Sequence, residues 1–402
     1  MTGNFAVRHI DQLPESADVV IIGGGIVGCA SAFFLSRSGR SPVVIERLEA
    51  IASATTSVSA HAIRCQFAEP ENIAQTTESL NIFENFRDVI GDPSAQIDLT
   101  QNGYLFASTD EADIAQFRDR VARQHSLGVT DIELLSGDDI RYRFPWMSDE
   151  IVVGSFRQRD GWIDSVMAAS HFLDASGAPI ALETAVTAIE TSADRVTGVQ
   201  TSRGRIATST AVLAAGPFSP DISPEPLPVA RWRRHRIIVD ADERIPQDAP
   251  MTIDANTGAH WRPHASGALM AWAQPEMDRP ATWPVERDEA WPDLILRSDR
   301  GIGRLCPFWT EITPDLTPDR YLFTAGQYTV TPDQKPLIGP ANEIEGLFLN
   351  TGYSGHGIMG SPSGSRLLAD VLAGSVRSAD NPFHPGRFVA GTKPPDVEKI
   401  VL

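Results

Sequence analysis

Gly23, Gly25 and Gly28, with Ile26 and Val27 set among them, have the spacing of a turn that can hold a diphosphate. Glu46 stands where a carboxylate can hold a ribose hydroxyl. In such a turn the first glycine permits the sharp bend and the second lets the backbone approach a pyrophosphate. The third lets the following helix pack closely on the strand, so that its N-terminal N–H groups face the phosphates. A second glycine turn, Gly352-Tyr-Ser-Gly355-His356-Gly357, opens a helix at the other end of the chain. Its N–H groups and helix dipole around Gly355 to Gly360 suit negative charge on a ring system, as the N1/C2 carbonyl edge of a reduced flavin requires; the same pattern also serves as an ordinary helix start.

These residues need particular elements beneath them. The continuous apolar run Val19 to Ile22 predicts a central parallel strand, followed by a helix that stops at Gly39 and a second strand Pro42–Ile45 ending at Glu46. The small, hydroxyl-rich stretch from Ser53 to Phe67 is read as a loop pressed against a ligand. Thr210 to Gly216 is a small-residue strand that allows close backbone approach. Helices are predicted over 70–90, 111–127 and 165–176, and a strand over 103–108. From Leu227 to about Thr324 alternating patterns predict a mostly antiparallel sheet, a second domain whose face could roof a cofactor. The Arg231 to Arg236 cluster invites an anion site, but is read here as charge on a solvated strand face.

A formal net charge of −18 and an isoelectric point near 4.9 oppose nucleic acid or an anionic membrane as partner and favour a small molecule. Cys29, Cys65 and Cys306 lack metal-ligand or disulfide spacing, and no metal site is expected. The first residues lack the order of a signal peptide, and no apolar run reaches the roughly eighteen residues of a membrane span, so a cytoplasmic location is expected.

The order of motifs resembles the flavin-dependent D-amino acid oxidase, glycine oxidase and sarcosine oxidase family, and most nearly the sarcosine oxidase beta-subunit group. The matching pieces are Val20 to Gly28, Glu46-Arg47, Thr56-Ser57 through Phe67, Leu213 to Pro217, Gly326 to Asp333 with Pro336 to Gly339, and Gly352 to Gly357. The resemblance implies an α/β fold: a discontinuous Rossmann-like FAD-binding domain (15–95, 150–224, 325–402) with an inserted, mainly antiparallel α+β substrate domain (96–149, 225–324). It implies that FAD is bound by Gly23, Gly25, Ile26, Val27, Gly28, Glu46, Arg47, Thr55, Thr56, Ser57, Val186, Ala215, Gly216 and the turn Gly355, His356, Gly357, Ile358, Met359.

It further implies that Arg64 binds the substrate carboxylate, a salt bridge to a pyrophosphate or acidic loop being its alternative, and that Tyr328 lies near the substrate or packs, with His356 at the same site. His61 falls on the opposite flavin face, where its imidazole either is protonated and assists oxygen or anionic flavin, or merely packs. Gly326 and Val58 occupy the places where relatives attach the flavin through cysteine or histidine, so noncovalent FAD is expected. Met270 and Met359 stand for two lysines of the monomeric enzymes, one of which activates oxygen.

The expected reaction is oxidation of the C–N bond of a carboxylated amine, sarcosine-, glycine- or proline-like, by hydride transfer to flavin N5. Electrons would pass to oxygen, a quinone or a carrier protein, and an oligomer is possible. A 2-hydroxy acid dehydrogenase with His61, His260 or His264 as base is the first alternative, and a non-catalytic FAD-binding subunit the second.

Overall fold

The structure is a computed structural model that describes residues 5–273 and 279–389; the end of the expected third cofactor segment, 390–402, lies outside them. Val19–Ile22 and Pro42–Ile45 are strands in which every residue is buried. Their side chains alternate between two layers. Val19, Ile21 and Val44 join one apolar cluster, while Val20, Ile22, Val43 and Ile45 join another.

The sheet that contains these strands has six members, in the order Leu337–Pro340, Leu347–Thr351, Ala211–Leu213, Val19–Ile22, Pro42–Ile45 and Ile180–Ala181. All pairs are parallel except the antiparallel pair at the first edge. The beginning, middle and end of the chain thus build one sheet. One face carries the helices Ile26–Arg37, Ser165–Ser176 and Gly357–Leu372. The other carries a three-stranded antiparallel sheet, Val186–Ser192, Arg195–Thr201 and Gly204–Ala207.

The first and last helices are also tied by polar groups. Asn350 Nδ2 donates to Ser31 Oγ (2.9 Å) and Ser365 Oγ (3.1 Å), and Tyr353 Oη donates to Asn350 Oδ1 at 2.6 Å. All of these residues are buried, so each hydroxyl and amide is satisfied inside the protein.

A second, eight-stranded sheet runs in the order Tyr321–Val330, Ala230–Val239, Gly267–Trp272, Ala259–His264, Met251–Asp254, Tyr104–Ser108, Val153–Arg157 and Glu133–Ser136. Only Met251–Asp254 and Tyr104–Ser108 pair in parallel. One face packs on the short helices Gly137–Arg143, Trp291–Arg297 and Phe308–Ile312 in a core with Trp261, Trp291 and Trp309. The expected boundaries at 150 and 325 do not follow the sheets: Val153–Arg157 and the whole of Tyr321–Val330 pair in the eight-stranded sheet. The predicted helix 70–90 is two, Pro70–Glu84 and Phe86–Ile90. Asn85 leaves helical geometry between them, its amide donating to the Asn81 carbonyl at 2.8 Å.

Among the described residues no helix is long and apolar enough to cross a membrane, and no group of acidic, histidine or cysteine side chains could hold a metal ion.

Candidate active site

A cavity of about 720 Å³ runs between the two sheets and is lined from both ends of the chain. At one end lies the first glycine turn. Gly23 has φ +111°, and a Cβ there would meet the Ala214 carbonyl oxygen at 2.6 Å. The small-residue strand is what lets the turn close. A Cβ at Gly28 would fall 1.9 Å from the Gly23 carbonyl oxygen, so Gly28 packs the turn and does not line the cavity, whereas Gly25, Ile26 and Val27 do. The helix from Ile26 follows a glycine that offers no side-chain cap and has no acid in its first turn, so its positive end, met by Thr56 Oγ1, faces the cavity wall.

Glu46 is buried beside that turn. Its two oxygens accept the N–H groups of Gly24 (2.7 Å) and Leu48 (2.8 Å). Burial raises its pKa and these bonds oppose the rise. Each oxygen keeps a second lone pair, so the carboxylate can shape the turn and accept a ribose hydroxyl together. Arg47, Thr55, Thr56, Val186, Ala215 and Gly216 also line this half. Thr56 Oγ1 accepts Ile26 N–H at 3.3 Å, and Thr55 Oγ1 donates to the Gln327 carbonyl at 3.2 Å. Ser57 does not line the cavity; its hydroxyl turns back to the Ser53 and Ala54 carbonyls.

At the far end Gly355, His356, Gly357, Ile358 and Met359 form the wall and open the last helix, which likewise has no side-chain cap and no acid in its first turn. Ser354, at φ +46°, is the hub of this turn. Its carbonyl accepts Tyr328 Oη–H at 2.9 Å and His356 Nδ1–H at 3.1 Å, while its hydroxyl accepts Thr331 N–H at 3.1 Å. The two late motifs are therefore one structural unit. His356 Nε2 is sealed from solvent and has no partner, and burial, with Arg64 nearby, lowers its pKa to about 3. The ring packs edge-on to Phe67 at 5.3 Å and so belongs to the wall.

An extended cofactor with a diphosphate and a charge-accepting ring suits this cavity: one cradle would close if its glycines bore Cβ atoms, and a second uncapped helix start lies at the opposite end.

Arg64 enters from the loop below. Cys65 N–H donates to Asp160 Oδ1 (3.1 Å), and Gln66 Nε2 donates to the Tyr104 carbonyl (3.0 Å), which fixes the segment. Asp160 is itself fully buried and bound to Arg157 at 2.6 Å. The Arg64 guanidinium donates to the Gln66 carbonyl and lies 3.9 Å from the Phe67 ring centroid. With Tyr104, His260, Arg234 and Tyr328 it lines the same cavity.

His61 also lines it, at φ +58°. Nδ1 lies 2.7 Å from Ser165 Oγ and Nε2 lies 3.3 Å from Arg236 Nη1. Arginine can only donate, so Nε2 is the acceptor and Nδ1 carries the proton. Burial, then Arg262 and Arg236, lower its pKa to about 3. The donor contact from Arg236 and the burial both favour the neutral imidazole.

The arginine cluster is corrected too. Arg236 is buried and donates to the Ser57 (3.0 Å) and Ser59 (2.6 Å) carbonyls, while Arg262 Nε donates to the Ala60 carbonyl at 2.9 Å. Together they clamp the 57–60 loop to the sheet. Arg234 lies 4.7 Å from the Tyr328 ring centroid, in the cavity wall. Its i, i+2 spacing with Arg236 was the available signal, because alternate strand residues share a face. Met270 is corrected as well: it pairs with Ile237 and Trp261 and is buried in the tryptophan core, whereas its neighbour Ala271 lines the cavity.

Residues 18–371 match the family model for FAD dependent oxidoreductases, DAO. FAD-dependent oxidoreductase domain-containing protein 1 of Xenopus laevis is 27% identical over 90% of this chain and 80% of its own length. Mitochondrial sarcosine dehydrogenase of Homo sapiens is 25% identical over 94% of this chain and 42% of its own length. Among solved structures, L-proline dehydrogenase from P. horikoshii superposes with a TM-score of 0.77 at 25% identity, covering 94% of this chain and all of that one. Glycine oxidase from Geobacillus kaustophilus, at 19% identity, shares the fold with a TM-score of 0.79 over 94% of this chain and all of that one. With the glycine cradle, the acid at Glu46 and the late glycine turn at the two ends of one cavity, a match over this length shows that the chain belongs to the DAO family of FAD-dependent oxidoreductases.

Proposed function

We propose that this enzyme oxidises the C–N bond of a carboxylated amine, secondary or cyclic, to an imine that water then hydrolyses. The observation that carries this reading is Arg64: a buried guanidinium, anchored by its own loop and backed by Phe67, in the cavity between the two glycine turns. A guanidinium grips a carboxylate with two parallel hydrogen bonds, which fixes the carbon that bears the amine. FAD, when bound, supplies the hydride acceptor at N5.

The remaining groups orient and seal. The start of the last helix, without a side-chain cap, would stabilise charge accumulating on the ring of a bound FAD, and Tyr328 holds that turn in shape through Ser354. The similarity to a sarcosine dehydrogenase and to an L-proline dehydrogenase supports amine substrates. No strong base is required if the amine binds neutral. The acceptor would be oxygen, a quinone or a carrier protein.

One observation favours a second reading, a 2-hydroxy acid dehydrogenase. His260 lines the cavity, and its Nδ1–H donates to the Gly258 carbonyl at 2.9 Å, which leaves Nε2 as an unprotonated acceptor for a hydroxyl proton. Burial foremost, with Arg234 and Arg64 adding, lowers its pKa to about 4.

Anaerobic stopped-flow mixing with sarcosine, proline and 2-hydroxyglutarate tests both. Flavin bleaching by the amines alone supports the first reading, and bleaching by the hydroxy acid alone rejects it in favour of the second.

A further inference from the structure

Arg47, the residue after Glu46, packs into a corner made by two aromatic rings. Its guanidinium carbon lies 4.2 Å from the Phe218 ring centroid and 4.9 Å from that of Trp283, and the two rings meet edge to face at 5.2 Å and 88°. Arg47 and Phe218 come from the six-stranded sheet: Arg47 lies just past the strand Pro42–Ile45, and Phe218 closes the turn Gly216–Phe218 beyond Ala211–Leu213. Both line the cavity.

Trp283 arrives from the other sheet. The segment 279–283 hangs on the eight-stranded sheet as a strap. Arg233 N–H donates to the Arg279 carbonyl (2.8 Å), Ala281 N–H to the Arg231 carbonyl (3.1 Å) and Gln327 Nε2 to the Thr282 carbonyl (3.0 Å). The Gln327 backbone carbonyl also accepts Thr55 Oγ1–H at 3.2 Å, so one residue anchors both the strap and the loop that lines the dinucleotide half. Trp283 is 44% exposed, and its ring lies on Phe218 and Arg47 at the rim of the cavity.

Aromatic faces take the flat side of a guanidinium, whereas its N–H donors point outward along the edge. Among the described residues the Arg47 side chain makes no hydrogen bond and no ion pair, so rings rather than a carboxylate set its position. The donor edge stays available beside Glu46, at the dinucleotide end. We propose that Trp283 is a positioning residue for the cofactor: from the strap it fixes the Arg47 guanidinium so that its donor edge serves the adenosine diphosphate half of FAD. The grip on FAD then depends on both sheets. This inference rests on the family's cofactor and not on the amine substrate, so either can fail without the other.

The test follows FAD release from diluted holoprotein, read as regained flavin fluorescence. Trp283→Ala should release FAD at least about threefold faster, a cation–π contact being worth roughly a factor of two to thirty. Trp283→Phe, which keeps a ring on the guanidinium, should stay within about twofold of the unaltered protein. In the full chain freed of FAD, ADP supplies the adenosine half alone, and calorimetry should show it bound more weakly by Trp283→Ala to a similar extent. Arg47→Gln should weaken ADP at least as much, and adding Trp283→Ala to it should weaken ADP no further, because the two residues act as one. Unchanged FAD release and ADP binding in Trp283→Ala overturn the proposal. So does a loss that repeats in full on the Arg47→Gln background, the pattern of a ring that merely braces the strap.

Discussion

Tyr328 fills the space that a side chain at Gly355 would need: a Cβ there would fall 1.8 Å from Tyr328 Oη, and the same hydroxyl donates to the adjoining Ser354 carbonyl at 2.9 Å. The glycine and the tyrosine thus define one turn from two strands' distance. Gly355→Ala must pay for a left-handed φ of +83°, about 1–2 kcal/mol, and must also displace the ring. It should lose most of its flavin on purification, read as the ratio of flavin to protein absorbance. Tyr328→Phe, which keeps the ring and removes the hydroxyl, should cost about 1 kcal/mol of stability and keep its flavin. Full flavin content in Gly355→Ala would show that the turn does not meet the cofactor.

Arg64→Ala removes the guanidinium but leaves the Cys65 and Gln66 anchors to Asp160 and Tyr104 intact. Breaking a buried charge-assisted pair costs roughly 2–5 kcal/mol. KM for the preferred amine should therefore rise by about 100-fold or more, with flavin content unchanged and kcat lowered less. Steady-state kinetics on flavin-matched samples measure this, and an unaltered KM would remove Arg64 from the substrate site.

The dinucleotide turn was legible in the sequence because its physics is local. Gly28 is constrained by the Gly23 carbonyl five residues back and Gly23 by Ala214 and Ala215 just past the strand Ala211–Leu213, while a Cβ at Gly25 would meet Thr56 Oγ1 at 3.5 Å. The late turn was legible as a motif, yet the reason it travels with Tyr328 and Thr331 appears only in space, through Ser354. The arginine face was misread because face assignment depends on which layers cover a strand, a non-local fact. Nothing within Arg231–Arg236 says that the 57–60 loop will lie against it. Met270 failed for the related reason that one residue of register separates the cavity face from the core face.

Several histidines should make the fold acid-sensitive in a window of its own. His61 and His356 sit at about 3 and His260 at about 4, each lowered chiefly by burial. The unfolded chain binds these protons near pH 6.5, the folded chain only well below. Stability is therefore full above about pH 6.5 and is lost as pH falls toward 4, with a slope of up to about 1.4 kcal/mol per pH unit for each group. Asp18 and Asp242, whose pKa values are lowered by Arg40 and Arg244, weaken the fold only at still lower pH. The Tm of holoprotein should drop between about pH 7 and pH 5, and a flat Tm would mean that the imidazoles protonate within the native state.

The flavin should be released on denaturation, and the contact between Gly326 and Val58 is the reason. A Cβ at Gly326 would fall 2.4 Å from Val58 Cγ2, so the two positions that the family resemblance pairs with covalent attachment meet each other here. Neither side chain is a nucleophile: glycine offers no sulfur and valine no imidazole. Cys29, Cys65 and Cys306 are all buried, and burial raises each thiol's pKa, which keeps them from acting as thiolates. Acid or heat treatment followed by filtration should leave a colourless protein and a yellow filtrate. Gly326→Cys alone should not create a bond, because the new side chain must first displace Val58. Colour retained on the unaltered protein would instead demand an attachment point elsewhere in the cavity wall.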